Sequence, residues 1–137
     1  MNNSGKTLEN VTFTEMTLDD IDEVYKIERA SFPNPWSREA FYNELINNQF
    51  ATYLLQKVNG QIVGYCGLWV IMDEAQITNI AVLPSYRNRK LGAALLEEAI
   101  FTAKSLGAKT MTLEVRVSNI AAQKLYKKFG FLYGGVR

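Results

Sequence analysis

The residues best placed to do chemistry lie in the stretch YRNRKLGAALLEEAI, residues 86–100. There Arg87, Asn88, Arg89 and Lys90 stand directly before Leu91, Gly92, Ala93 and an apolar run of helical spacing. The first turn of a helix presents backbone N–H groups with no partner inside the helix, and the aligned peptide dipoles add partial positive charge. Three cationic side chains at such a point favour an anion, and a pyrophosphate is a guest of the right charge and shape. Each dipole contact is worth about 0.3–1 kcal/mol, so useful affinity needs several together, and residues 87–93 supply several. The chain contains neither G-x-x-x-x-G-K-[ST] nor G-x-G-x-x-G, which removes the main support for a nucleoside-triphosphate loop or a dinucleotide fold. A basic cluster in isolation is more often a solvated surface turn, so its surroundings must decide.

Those surroundings read as alternating elements. Residues 11–17 form a short edge strand. Thr17 caps a helix over residues 18–32, with acidic residues in its first turn and apolar ones at near-helical spacing. Pro33 and Pro35 in FPNPWS break that helix, and Ser37 caps a second over residues 38–48. ATYLLQKV and QIVGYCGLWVI flank Asn59-Gly60, a dipeptide suited to a two-residue hairpin. AQITNIAVLP (residues 75–84) is the next strand, which completes an antiparallel meander. Leu91, Ala94, Leu95, Ala99, Thr102 and Leu106 then make a helical stripe ending at Gly107. Residues 109–117 form a strand with Met111, Leu113, Val115 and Val117 on one face, and residues 118–130 a helix capped by Ser118 or Asn119. Strand, helix, strand in this half implies a parallel pair joined by a right-handed crossover.

Bulk properties narrow the function. The chain has 137 residues, 47% of them hydrophobic and 21% charged. That fits a single domain over residues 1–137, with residues 1–10 a loose polar tail and roughly two thirds of the extended chain's surface buried. A net charge of +1 argues against direct nucleic-acid binding and makes any anion recognition local. Cys66 is the only cysteine and there is no histidine, so an intramolecular disulfide, zinc sites and a histidine base are excluded; no metal is expected. Cys66, mid-strand, reads as a buried inert thiol. Neither a signal peptide nor a run of about 18 apolar residues is present, so the expected setting is the cytoplasm, away from a membrane.

NIAVLPSYRNRKLGAALL resembles the signature of the GCN5-related N-acetyltransferases (GNAT), which bind acetyl coenzyme A through an R/Q-x-x-G-x-G/A loop. The match here is Arg87-x-x-Lys90-x-Gly92, with Lys90 in place of the first glycine. The resemblance implies an α/β fold of α+β type: a mixed central sheet, antiparallel meander first and parallel strand-helix-strand after it, with helices on both faces. It also implies a bulged strand whose backbone at Ile80, Ala81 and Val82 receives the pantetheine arm and acetyl carbonyl. Ile80 and Val82 read equally well as strand core, and the two readings are compatible. Residues Arg87, Asn88, Arg89, Lys90, Leu91, Gly92 and Ala93 would hold the pyrophosphate.

LEVRVSNIAAQKLYKKFGF, taken with FPNPWS and NIAV, is similar to the ribosomal-protein-alanine N-acetyltransferase branch. By that resemblance Glu114 is the general base, acting through water. Tyr126 is the acid that protonates the departing thiolate, and Asn119 contacts the cofactor. Asn119 and Tyr126 are two helical turns apart and so share a stripe. Residue by residue, a paired surface carboxylate, a helix cap and a packing tyrosine are the simpler readings. Trp36 either locks the helix connection or walls the peptide groove. The implied acceptor is the N-terminal amine of a protein, the alanine of small-subunit ribosomal protein number eighteen, with the enzyme a monomer. Another protein N-terminus, a small amine, or a coenzyme A-binding module without turnover are the rivals. Family members carry a further hairpin strand beyond the point where this sequence ends, so that final strand is expected to be missing.

Overall fold

Asn59 and Gly60 both adopt positive φ, 52° and 84°, the backbone twist a two-residue turn needs to join right-twisted antiparallel strands. They connect β2 (Ala51–Val58) to β3 (Gln61–Ile71) in the computed structural model, which describes residues 10–87 and 89–113. β1 (Val11–Glu15) pairs antiparallel with β2, and β4 (Glu74–Val82) pairs antiparallel with β3. β5 (Thr110–Leu113) lies beside β4 in parallel, from Glu74↔Thr110 to Ile77↔Leu113. A parallel neighbour cannot be reached by a tight turn, and the chain crosses over through α3 (Leu91–Ser105). The sheet order is therefore β1-β2-β3-β4-β5, an antiparallel meander with a parallel strand after it, as expected.

The helix starts follow their capping residues. Asp20 Oδ2 accepts from the backbone N–H of Thr17 at 2.8 Å and from its hydroxyl at 3.0 Å. This closes a tight 3-10 turn, Leu18–Asp20, before α1 (Ile21–Ser31) begins. Ser37 Oγ accepts from Ala40 N–H at 3.1 Å and starts α2 (Arg38–Asn47).

Side chains alternate across the strands, so the sheet has two apolar faces. One packs on α3, whose buried residues are Leu91, Leu95, Leu96, Ala99 and Ala103. The other packs on α1 and α2 through Val24, Ile27, Phe41, Tyr53, Leu55 and Tyr65. The α3 stripe thus differs from expectation at its end. Ala103 continues the four-residue step from Leu95 and Ala99, whereas Leu106 falls on the helix C-cap, where the chain turns away and leaves it half-exposed. Cys66 is buried, and burial pushes its thiol far above the ordinary range, which suits an inert thiol. The expected strand and helix beyond Leu113 and the loose tail over residues 1–9 lie outside the described residues.

β4 carries a bulge. Gly67 pairs with Asn79 and Leu68 with Ile77, so Thr78 has no partner in the β3 ladder. Opposite it, a Cβ built on Gly67 would lie 2.5 Å from the Tyr53 ring. That ring cannot swing clear without breaking the Tyr53 hydroxyl's 2.9 Å bond to Glu44. Gly67→Ala should therefore lower stability by about 1–3 kcal/mol through overpacking, read as a lower urea midpoint with an unchanged slope.

Candidate active site

At the end of β4, a 3-10 turn, Pro84–Tyr86, carries the chain toward α3. Arg87 Nε donates to the Val82 carbonyl at 3.2 Å, and the Arg89 guanidinium lies over the Tyr86 ring at 4.9 Å. These contacts fold the basic stretch back against the strand it leaves. Lys90 is the N-cap of α3 in the left-handed conformation, φ 63° and ψ 15°. A glycine takes that shape freely, while a residue with a Cβ is disfavoured there by about 1–2 kcal/mol. Lys90 thus takes up in its backbone the shape for which a glycine is suited. The Lys90 side chain does not cap α3, and first-turn amides without a cap can receive an anion. Arg87, Arg89 and Lys90 are exposed around it, and Asn88 lies outside the described residues.

Ile80 and Val82 are buried against α3, while Ala81 is buried on the opposite face. Their side chains are committed to packing, which leaves only backbone groups to meet a ligand there. The structure thus joins residues 80–82 and the basic loop at one corner of the sheet. Glu114, Asn119 and Tyr126 lie outside the described residues.

A fully buried carboxylate, given no chemical role by the sequence reading, sits beside this corner. Glu28 of α1 accepts from the Tyr65 hydroxyl, from Asn79 Nδ2 at 3.0 Å and from the backbone N–H of Trp36 at 2.8 Å. Asn79 Nδ2 also contacts the Tyr65 hydroxyl at 2.6 Å, and Asn79 Oδ1 accepts from Ile80 N–H at 3.2 Å. All three groups around Glu28 donate, which is what an acceptor-only carboxylate requires when water is excluded. The network joins α1, the connection to α2, β3 and the bulged part of β4. The signal in the sequence was available: Glu28 follows Val24 by four residues and so lies on the apolar stripe of its helix.

A second carboxylate serves the same face. Glu44 Oε1 accepts from Tyr53 hydroxyl at 2.9 Å and Trp69 Nε1 at 2.8 Å, while Oε2 accepts from Asn48 Nδ2 at 3.0 Å. Burial, reinforced by the Glu44 charge, pushes the Tyr53 hydroxyl far above the usual tyrosine range. Trp36 is half-buried with its ring 5.3 Å from that of Phe41, so it does pack in the helix connection. Among the described residues no cluster of three or more His, Cys, Asp or Glu side chains is arranged to hold a metal.

The Acetyltransferase (GNAT) family matches residues 21–131, a span that takes in the bulged strand, the basic loop and α3. The chain belongs to this family. GNAT enzymes are acyltransferases with acetyl coenzyme A as co-substrate. The chain is 52% identical over 122 residues to a provisionally named ribosomal protein bS18-alanine N-acetyltransferase of Bacillus subtilis strain 168, covering 89% of this chain and 81% of the relative. It superposes with a TM-score of 0.79 on the crystal structure of the ribosomal-protein-S18-alanine N-acetyltransferase from Escherichia coli, at 34% identity over 88% of this chain and 77% of that one. The N-acetyltransferase of Thermoplasma acidophilum solved with coenzyme A shares the GNAT fold at a TM-score of 0.77 and 20% identity, with 88% of each chain covered.

Two substitutions test this corner. Glu28→Ala removes the acceptor shared by the Tyr65 hydroxyl, Asn79 Nδ2 and the half-buried Trp36 N–H, and at about 1–3 kcal/mol for a buried group left without its partner it should cost at least about 2 kcal/mol by urea unfolding. At position 90, Lys90→Gly should prove more stable than Lys90→Ala by about 1 kcal/mol, because only glycine occupies the left-handed region without strain.

Proposed function

We propose that this chain moves acetyl from acetyl coenzyme A to the N-terminal α-amine of a protein, with the N-terminal alanine of ribosomal protein bS18 as acceptor. The supporting observation is the coincidence of site and kinship. A bulged β4 leads into the basic α3 start, within a chain that over 88% of its length resembles a ribosomal-protein-S18-alanine N-acetyltransferase. In this reading the protein works in the cytoplasm as a monomer and a single domain.

The chemistry is direct transfer. An α-amine has a pKa of about 7.7–8, so a large fraction is protonated at neutral pH and must lose a proton before it can attack. Glu114 takes that proton through a water. The free amine adds to the thioester carbonyl, a new C–N bond forms, the C–S bond breaks, and the nitrogen sheds its surplus proton to solvent as the amide forms. Tyr126 protonates the leaving thiolate, so coenzyme A departs as the thiol. Residues 80–82 hold the pantetheine arm and acetyl carbonyl, Asn119 contacts the cofactor, and residues 87–93 hold the pyrophosphate. Trp36 and the connection around it form a wall of the peptide groove.

The decisive assay compares a peptide bearing the bS18 N-terminus with lysine-bearing and polyamine acceptors. The Ala-starting peptide should be acetylated on its α-amine and preferred at least about ten-fold, a difference of about 1.4 kcal/mol in transition-state stabilisation. Glu114→Gln and Tyr126→Phe should each slow that reaction by about 10²–10⁴, the usual worth of a positioned acid or base. Coenzyme A binding without transfer to any acceptor would instead identify a binding module, and faster transfer to a small amine would reassign the substrate.

A further inference from the structure

On the α3 face of the sheet, β2 buries a glutamine. Gln56 has no exposed surface, and its Nε2 donates to the Leu91 carbonyl at 2.8 Å. Its Oε1 has no hydrogen-bond partner among the described residues. The amide orientation is forced, since only the NH2 end can face a carbonyl. Leaving a buried oxygen without a partner costs about 1–3 kcal/mol, and an apolar side chain would suit the surrounding Leu54, Val58 and Val63 better. The path to Leu91 is specially cleared. A Cβ on Gly64 would lie 2.9 Å from Gln56 Oε1 and 3.0 Å from the Ala81 carbonyl. The β2–β3 ladder shifts register immediately beside it, after the Gln56↔Gly64 pair.

The Leu91 carbonyl and the Gly92 N–H belong to one peptide unit. In a helix the carbonyl points along the axis toward the C-terminus and the N–H points back out of the N-terminus. A donor bonded to that oxygen fixes the plane of the unit and polarises it, by about 10–30% per bond in a chain of hydrogen bonds. We infer that Gln56 is a positioning residue for the co-substrate: it aims and strengthens the Gly92 N–H as a donor to the coenzyme A pyrophosphate. The sequence of bonds is Gln56 Nε2–H to Leu91 C=O, through the peptide, to Gly92 N–H and the phosphate oxygen. The inference rests on residues 87–93 holding the pyrophosphate.

The test is equilibrium binding to the full chain of coenzyme A and of pantetheine, which lacks the pyrophosphate. Gln56→Met keeps the volume, removes the donor and also removes the unpartnered oxygen. It should weaken coenzyme A about two-fold, the share of one charged hydrogen bond that the polarisation supplies, and leave pantetheine unchanged. Gln56→Leu, which also lacks the donor, should reproduce the pattern. Equal weakening of both ligands would mark Gln56 as a merely structural residue and overturn the inference, as would no weakening of either. If the unaltered protein itself binds coenzyme A no better than pantetheine, it is the pyrophosphate assignment of residues 87–93 that fails.

Discussion

One carboxylate without access to water holds the working half of this molecule in register. Glu28 enters the core from α1 and accepts bonds from β3, from the asparagine at the bulge of β4, and from the backbone that leads into α2. A buried charge is tolerated only when its lone pairs are filled, and filling them requires the helix, the connection and the bulge to occupy one relative arrangement. Apolar contact alone would leave these parts free to slide, since burial is nearly indifferent to direction. The polar centre is thus a constraint on placement, and a stabilising element only insofar as every partner stays in position.

Polar placement recurs on the other side of the sheet. The face against α3 is apolar but for Gln56, which reaches the first carbonyl of that helix. β4 therefore runs between two buried polar ties, one from each layer, and both meet the chain near where a ligand would lie across the strand end and the helix start. Between them the aliphatic residues supply most of the burial, about 25 cal/mol for each Å² of apolar surface removed from water. The division of labour is plain: cores of ordinary Leu, Ile and Val hold the sheet and helices together, and a few polar atoms decide where the reactive corner sits.

Much of this was legible in the sequence because it was locally encoded. Asn59-Gly60 specified the hairpin, Thr17 and Ser37 marked helix starts, and α1 ends at Ser31, two residues before Pro33. The basic loop could be recognised from its position between strand and helix. What escaped was non-local. Apart from Trp36, eight residues on from Glu28, the partners that give Glu28 and Gln56 their roles are 35 to 51 residues away in the chain, which no window of neighbouring residues contains. The first turn of α1 tightened to a 3-10 form because Asp20 bonds back to Thr17, a detail finer than hydrophobic spacing can carry. The left-handed shape of Lys90 also went unread, because the loop dictates it and the side chain does not favour it.

Thr78, the unpaired residue of the bulge, matters by being counted. In a regular strand one residue more or less exchanges the two faces of everything that follows. The extra residue sets Asn79 toward the α1 side, where Tyr65 and Glu28 await it, and returns Ile80 and Val82 to the α3 side. The side chain at position 78 spends its hydroxyl on the neighbouring Gly67 carbonyl at 3.3 Å, a modest bond. Removing position 78 would exchange the faces of residues 79–82. What the two layers depend on there is the presence of a residue, and with it the length of the strand.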